Sequence, residues 1–155
     1  MGKDAFPHDH PLFVGFIGSY SNRYANLALA NCDLVIALGS RMDSRQTANP
    51  KTFSRAAKKI HVDIDKNELN NTVVSEVAIH AHLKSFFEKA LQNFAPQTGD
   101  KYDDWLTYIN SVKTEFANED FGSAELVNPK SFLRRFSEFA KDNEIFLTDI
   151  GNYQM

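Results

Sequence analysis

The sequence predicts an α/β protein in which a parallel sheet is flanked by helices. The first sign is the apolar run 34–38, which ends at Gly39; a short apolar run bounded by turn residues is typical of a strand buried on both faces of a parallel sheet. The second sign is the stretch 83–95, whose apolar residues recur at the spacing of one helical face. Strands that alternate with helices favour a parallel sheet.

Composition limits the classes of function. The chain has 155 residues, of which 43% are hydrophobic and 24% are charged, as in an ordinary globular protein. Its net charge of -3 includes no block of like charges, so we expect neither nucleic acid nor a membrane as a partner. Cys32 is the only cysteine, which excludes an internal disulfide and favours a cytoplasmic location. No signal peptide and no apolar run of about 20 residues is present.

The remaining helices and strands are predicted from the spacing of apolar residues and from the capping and turn residues that flank them. Asn22 is a plausible N-cap, and Asn128-Pro129 is a plausible helix start. We expect the aromatic stripes of the later helices to lie in the core. The predicted helices cover about 22–31, 83–95 and 103–118, with another from 128, and the predicted strands cover 34–38, 58–65, 73–79 and 144–148.

Charged residues follow the first strand directly. Arg41, Asp43 and Arg45 come just after Gly39. Ligands of parallel sheets sit beyond the carboxyl ends of the strands, so these side chains are candidate ligand contacts. The alternative is a surface turn with a solvated ion pair.

Two other places could bind a ligand. Asp63 and Asp65 end the strand 58–65, where a carboxylate can accept ribose hydroxyls, although a helix cap explains them equally well. The Gly-containing stretch 15–22 leads into a helix N-terminus, which favours anions. The two His-x-His pairs, at 8–10 and 80–82, have no further ligand at usable spacing, so we interpret them as polar loops and predict no metal site.

Four stretches of the sequence occur in a distinctive order. They are Gly-Lys-Asp-Ala-Phe-Pro at 2–7 with His-Pro-Leu at 10–12, Tyr-Ala-Asn-Leu-Ala at 24–28, Gly-Ser-Arg-Met-Asp-Ser-Arg at 39–45, and Ile-His-Val-Asp-Ile-Asp at 60–65. Together they resemble the central domain of thiamine-diphosphate-dependent enzymes of the acetolactate synthase type. The tail 148–155, Thr-Asp-Ile-Gly-Asn-Tyr-Gln-Met, resembles the start of that family's pyrophosphate-binding domain.

The resemblance implies a fragment with a Rossmann-like, DHS-like NAD/FAD-binding central domain that is incomplete. Residues 1–95 would be the central domain without its first strands. Residues 96–127 would be a linker with one helix, and 128–155 would begin the pyrophosphate-binding domain. The glutamate that activates the thiazolium and the magnesium motif would lie outside the chain, so the chain would contain no catalytic residue.

The resemblance also implies cofactor contacts. Thiamine diphosphate and Mg²⁺ would serve the parent enzyme, and FAD is possible. Ser21 replaces a family glycine, and His-Ala-His at 80–82 replaces Gly-Asp, so another nucleotide, or none, stays open. The contacts implied for FAD or a nucleotide are Ile17, Gly18, Ser19, Tyr20, Gly39, Arg41, Asp43, Arg45, Asp63 and Ile64, and those implied for thiamine diphosphate are Ile150, Gly151, Asn152 and Tyr153.

Two functions are compatible with this sequence. The first is a piece of a carboligase or decarboxylase that acts on 2-oxo acids such as pyruvate and works as a homodimer or homotetramer. In that case the isolated chain would be inactive. The second is a stand-alone nucleotide-binding or interaction module without catalysis.

Overall fold

The computed structural model describes residues 5–95, 100–117, 127–141 and 143–147. Within these ranges five helices and three strands form. In chain order they are α1 (Arg23–Asn31), β1 (Leu34–Leu38), α2 (Ser44–Thr47), β2 (Lys58–Asp63), β3 (Val77–His80), α3 (Leu83–Asn93), α4 (Asp103–Phe116) and α5 (Pro129–Ser137).

The three strands form one parallel sheet in the order β1-β2-β3. Ile36 of β1 is level with Ile60 of β2, and Ile60 is level with Val77 of β3. The carboxyl ends of all three strands therefore reach the same edge. The prediction of a Rossmann-like α/β fold with a parallel sheet and flanking helices is confirmed.

The central buried cluster packs against the face of the sheet that carries Ala37, and Val62 is fully buried on the other face. Met42, Phe53 and Val73 form the cluster, and Leu29 of α1 and Ala37 of β1 pack against them. The connections that follow β1 and β2 thus share one core with α1. Burial of these apolar side chains is the main stabilisation available to the sheet.

The other face of β1 is largely uncovered by the described residues, which makes the prediction of burial on both faces wrong. The side chains of Leu34, Ile36 and Leu38 alternate onto one face, where they are 46%, 48% and 36% exposed. Gly39 N–H donates to Val62 O, and Lys58 N–H donates to Asp33 O. Odd-numbered residues of β1 therefore face β2, and the backbone groups of the even-numbered ones point to the open edge.

The later helices differ in what they bury. Ile109 and Val112 of α4 are buried, and the Tyr108 hydroxyl accepts a hydrogen bond from Asn31 Nδ2 at 2.9 Å, so α4 packs against α1 as the apolar stripe predicts. On α3 no residue is buried. α3 lies against β2, and Leu83, Phe86 and Ala90 of its predicted stripe are half-buried. The prediction that the aromatic stripes form core is wrong for the rest of the α3 stripe and for α5, whose side chains are exposed: Phe87, Leu91, Phe94, Phe132, Leu133, Phe136 and Phe139.

Several boundaries move relative to the sequence prediction. The strand predicted at 58–65 ends at Asp63, and β3 begins at Val77. The segment after Arg41 contains the unpredicted short helix α2, because Asp43 caps it. Residues 144–147 form no strand, and 148–155 lie outside the described residues. The division at 95 and 127 into three parts stays a prediction.

Glu76 connects β2 to the segment before β3. Its Oε2 accepts a hydrogen bond from Lys59 N at 2.6 Å, and this bond lowers the pKa of Glu76. A carboxyl with a lowered folded-state pKa stabilises the fold above its ordinary pKa and loses that contribution as the pH falls through the lowered value.

We therefore expect Glu76→Gln to flatten the acid limb of the stability profile. Urea unfolding midpoints between about pH 3 and pH 7 would measure this change. Glu88→Gln, which neutralises an exposed carboxylate on α3, is the matched control. An acid limb that Glu76→Gln leaves as steep as that of the control would contradict the assignment.

Among the described residues, no helix is long and apolar enough to cross a membrane.

Candidate functional site

The candidate site lies where the carboxyl ends of β1 and β2 meet. Gly39 follows β1 with a φ of 59°, a left-handed conformation that favours glycine, and its N–H donates to Val62 O at 2.8 Å. At the next strand end, Ala81 N–H donates to Asp63 O at 3.0 Å. These bonds bring the segments after all three strands to one edge.

The segment after β1 is held by Asp43. Its Oδ1 accepts hydrogen bonds from Arg45 N at 2.9 Å and from Gln46 N at 3.2 Å, which caps α2. The carboxylate is thus used for structure in this chain. Arg45 itself is exposed, and its guanidinium stands on the first turn of α2.

The predicted turn 17–20 contacts this segment through Arg45. Ser19 N–H donates to Arg45 O at 2.9 Å, and Ser19 Oγ lies 3.3 Å from the same oxygen. Gly18 is buried with a φ of 118°, and a Cβ there would lie 2.7 Å from Arg45 O. Ile17 is half-buried and Tyr20 is 59% exposed. The structure therefore brings 17–20 together with Arg45, as a common site requires.

Asn26 was missed by the sequence reasoning. Its Oδ1 accepts a hydrogen bond from Gly18 N at 2.8 Å, and its Nδ2 donates to Gly18 O at 2.9 Å. The side chain thereby holds both backbone groups of a glycine whose conformation other residues rarely adopt. An Asn in the first helical turn after a Gly-rich segment is the only sequence signal, because the pairing depends on how the turn folds back.

Arg41 is paired rather than open to a ligand. Its Nε lies 3.0 Å from Glu68 Oε1, with the Arg41 side chain 77% exposed and that of Glu68 17% exposed. Glu68 lies in the connection between β2 and β3, and sequence reasoning missed it too. No strand-end rule points to it, because it stands five residues after Asp63.

Asp63 is placed at the site but is poorly accessible. It is 7% exposed, and its Oδ1 accepts a hydrogen bond from Asp65 N at 2.8 Å. Ile64 is 65% exposed, and its carbonyl oxygen lies 2.9 Å from His80 Nε2. The strand end therefore offers a ligand the Ile64 side chain more than the Asp63 carboxylate.

The imidazole of His61 lies under this strand end. It is fully buried in β2, and neither ring nitrogen has a hydrogen-bond partner among the described residues. Its Nε2 is 3.8 Å from Asp63 Oδ2, which is longer than a hydrogen bond.

Histidines elsewhere have local roles. His82 Nδ1 accepts a hydrogen bond from Lys84 N at the start of α3. The described residues contain no group of three or more His, Cys, Asp or Glu side chains that could hold a metal ion.

Two guanidinium groups follow β1 at this edge, and a guanidinium suits bidentate contact with phosphate. That of Arg45 is exposed, whereas that of Arg41 is paired with Glu68. The carboxylates fit less well, because Asp43 and Asp63 already accept backbone N–H groups. The predicted thiamine diphosphate contacts, Ile150, Gly151, Asn152 and Tyr153, lie outside the described residues.

The part of the chain that forms this edge matches a known protein family. Residues 1–90 match the family model described as "Thiamine pyrophosphate enzyme, central domain". The chain belongs to this family. The match includes every described element from α1 to β3, and therefore the whole edge at which the candidate site lies.

Relatives of this family match along the entire chain. The acetolactate synthase large subunit of Cyanidium caldarium is 33% identical over 159 residues, which is 100% of this chain and 27% of that protein. The probable acetolactate synthase large subunit of Methanocaldococcus jannaschii is 33% identical, and the acetolactate synthase large subunit of Lactococcus lactis is 31% identical, each again over 100% of this chain and 27% of that protein. The chain spans about a quarter of the length of these relatives.

Proposed function

We propose that this chain is the central-domain part of a thiamine-diphosphate- and Mg²⁺-dependent carboligase or decarboxylase that acts on 2-oxo acids, with pyruvate as donor. The family match over residues 1–90 carries this proposal. Large subunits of acetolactate synthases that align with all 155 residues support the more specific activity. The parent enzyme would be a cytoplasmic homodimer or homotetramer, and the isolated chain would have no activity.

In this proposal the edge formed by β1 and β2 binds FAD or another nucleotide. Arg41 and Arg45 would contact the diphosphate, with Gly39 and Asp43 shaping the segment between strand and helix. The turn 17–20 would lie against the ligand, because Ser19 and Gly18 already pack on Arg45 O. Ile64 would contact the adenosine end through its exposed side chain, with Asp63 fixing the strand end beneath it.

The remaining contacts would belong to thiamine diphosphate. Ile150, Gly151, Asn152 and Tyr153 would hold its diphosphate, since a glycine lets backbone N–H groups approach phosphate closely. Bound thiamine diphosphate supplies carbanion stabilisation for decarboxylation and carbon–carbon bond formation. In this proposal the chain contributes binding and positioning of the cofactors.

Pyruvate consumption tests the proposal. It would be measured for the 155-residue chain and for the full-length protein that carries it, each with and without thiamine diphosphate and Mg²⁺. We expect turnover only from the longer protein with both cofactors. Turnover by the longer protein without thiamine diphosphate and Mg²⁺, or no turnover of any 2-oxo acid tried, would contradict the proposal.

A further inference from the structure

Glu68 is fixed in place by its own loop. Its N–H donates to Asp65 O at 3.1 Å, and its carbonyl oxygen accepts a hydrogen bond from Asn71 N at 3.4 Å. Asp65 holds the loop locally, because its Oδ1 accepts a hydrogen bond from Asn67 N at 2.9 Å. The Glu68 side chain is only 17% exposed, so the surrounding residues restrict the positions that its carboxylate can take.

Arg41 is fixed from the other side. The next residue, Met42, has a φ of 48° and is 4% exposed. Met42 packs in one cluster with Val73, which belongs to the same β2–β3 connection as Glu68. Both partners of the 3.0 Å ion pair are therefore tied to one core, so the pair forms with less loss of side-chain freedom than a typical surface pair.

The ion pair also crosses the place where a ligand would sit. Arg41 follows β1, and Glu68 follows β2, the strand paired with β1. Ligands of parallel sheets lie beyond these carboxyl ends. A carboxylate at this position satisfies the cation that a phosphate ligand would otherwise contact.

We propose that Glu68 is a specificity-determining residue of the nucleotide site. Its carboxylate pairs with Arg41, so that only a multiply charged phosphate group displaces the carboxylate and binds Arg41. This inference rests on the nucleotide site of the proposed function. A diphosphate brings more than one negative charge and several acceptor oxygens, so it competes with a single carboxylate for a guanidinium. A neutral nucleoside gains nothing from Arg41 and is left with the weaker contacts of the site.

Calorimetric titration of the 155-residue chain with sodium pyrophosphate, and with adenosine as the uncharged probe, tests this role. Because the Arg41 partner is 77% exposed, the ion pair stabilises only weakly, and we expect Glu68→Gln to raise pyrophosphate affinity by about two- to fivefold. Adenosine affinity is expected to stay unchanged. The gain should shrink at high salt, since the Arg41 guanidinium is largely exposed.

Two further variants separate this role from a general change of charge. Asp65→Asn removes the same charge from the same loop without touching Arg41, and is expected to give a smaller gain than Glu68→Gln. In the double variant Arg41→Gln with Glu68→Gln, the gain should disappear. Circular dichroism checks that each variant keeps its helix content.

The outcomes that overturn the inference are distinct. They are an unchanged or weaker affinity in Glu68→Gln, an equal gain in Asp65→Asn, a gain that survives in the double variant, or no pyrophosphate binding by any of these proteins. Binding by Glu68→Gln alone would support it. None of these results bears on the thiamine diphosphate dependence of pyruvate consumption, which is measured separately on the longer protein.

Discussion

Replacing Gly18 by alanine is expected to destabilise the chain by about 2–4 kcal/mol, since both backbone strain and a collision oppose it. Gly18 has a φ of 118°, well beyond the left-handed helical region, so any Cβ is strained there. The added methyl would also lie 2.7 Å from the carbonyl oxygen of Arg45. Relief of this contact requires the turn to leave Arg45, which breaks the bonds that Ser19 makes there.

Gly39→Ala is the matched control. Its φ of 59° is one that residues other than glycine adopt at modest cost, and its new Cβ would meet only Leu83 Cδ1, at 3.3 Å. That atom is the end of a flexible side chain, so we expect a loss of about 1 kcal/mol. Urea unfolding would give both free energies. Equal losses in the two variants would show that Gly18 does not meet Arg45 as described.

Replacing His61 by leucine is expected to stabilise the chain by about 1–2 kcal/mol, although it removes a polar residue from the strand nearest the site. The imidazole is completely buried, and neither ring nitrogen has a hydrogen-bond partner among the described residues. Leucine has similar bulk and no polar atom to leave unpaired. Asp63 keeps the hydrogen bond from Asp65 N, so its carboxylate does not depend on the ring.

Val62→Thr is the opposite change at the neighbouring position. Val62 is 0% exposed, and threonine keeps its shape while introducing a buried hydroxyl. We expect a loss of about 1–2 kcal/mol, measured as a lower urea midpoint at unchanged slope. A lower midpoint for His61→Leu would contradict the expectation that the unpaired imidazole destabilises the folded chain.

The spacing of apolar residues and the position of turn residues were enough to predict most of the helices and strands. The run 34–38 is a strand because five apolar residues end at Gly39, and α4 forms because Trp105, Ile109 and Val112 recur on one helical face. Both signals are local. The parallel direction of the strands was predicted from the alternation of strand and helix segments, and the structure confirms it.

Burial was less predictable, because it depends on what covers a face and not on the face itself. Leu34 and Ile36 are as apolar as Val62, yet nothing described lies over them, while Val62 is fully buried. The same holds for Phe87 of α3 and Phe136 of α5. A sequence pattern shows that a face prefers burial, and the neighbours decide whether it is buried.

For the site, strand ends were predictable and cross-links were not. Gly39, Arg41 and Arg45 were found because they follow a strand directly. Asn26 and Glu68 act through partners 8 and 27 residues away, on turns whose course no local rule gives. Whether the predicted residues bind a nucleotide stays a prediction that pyrophosphate titration addresses.

The open edge of β1 has a consequence for handling this chain. Leu34, Ile36 and Leu38 combine exposed side chains with backbone groups that point away from β2. Edge strands of soluble proteins usually guard such a row with charge, a bulge or proline, and β1 has none of these. At high protein concentration we therefore expect another extended chain, including one that is still unfolding, to pair with this edge. Protein concentration thus becomes a variable in each unfolding experiment above, and midpoints are comparable only when they agree across a dilution series.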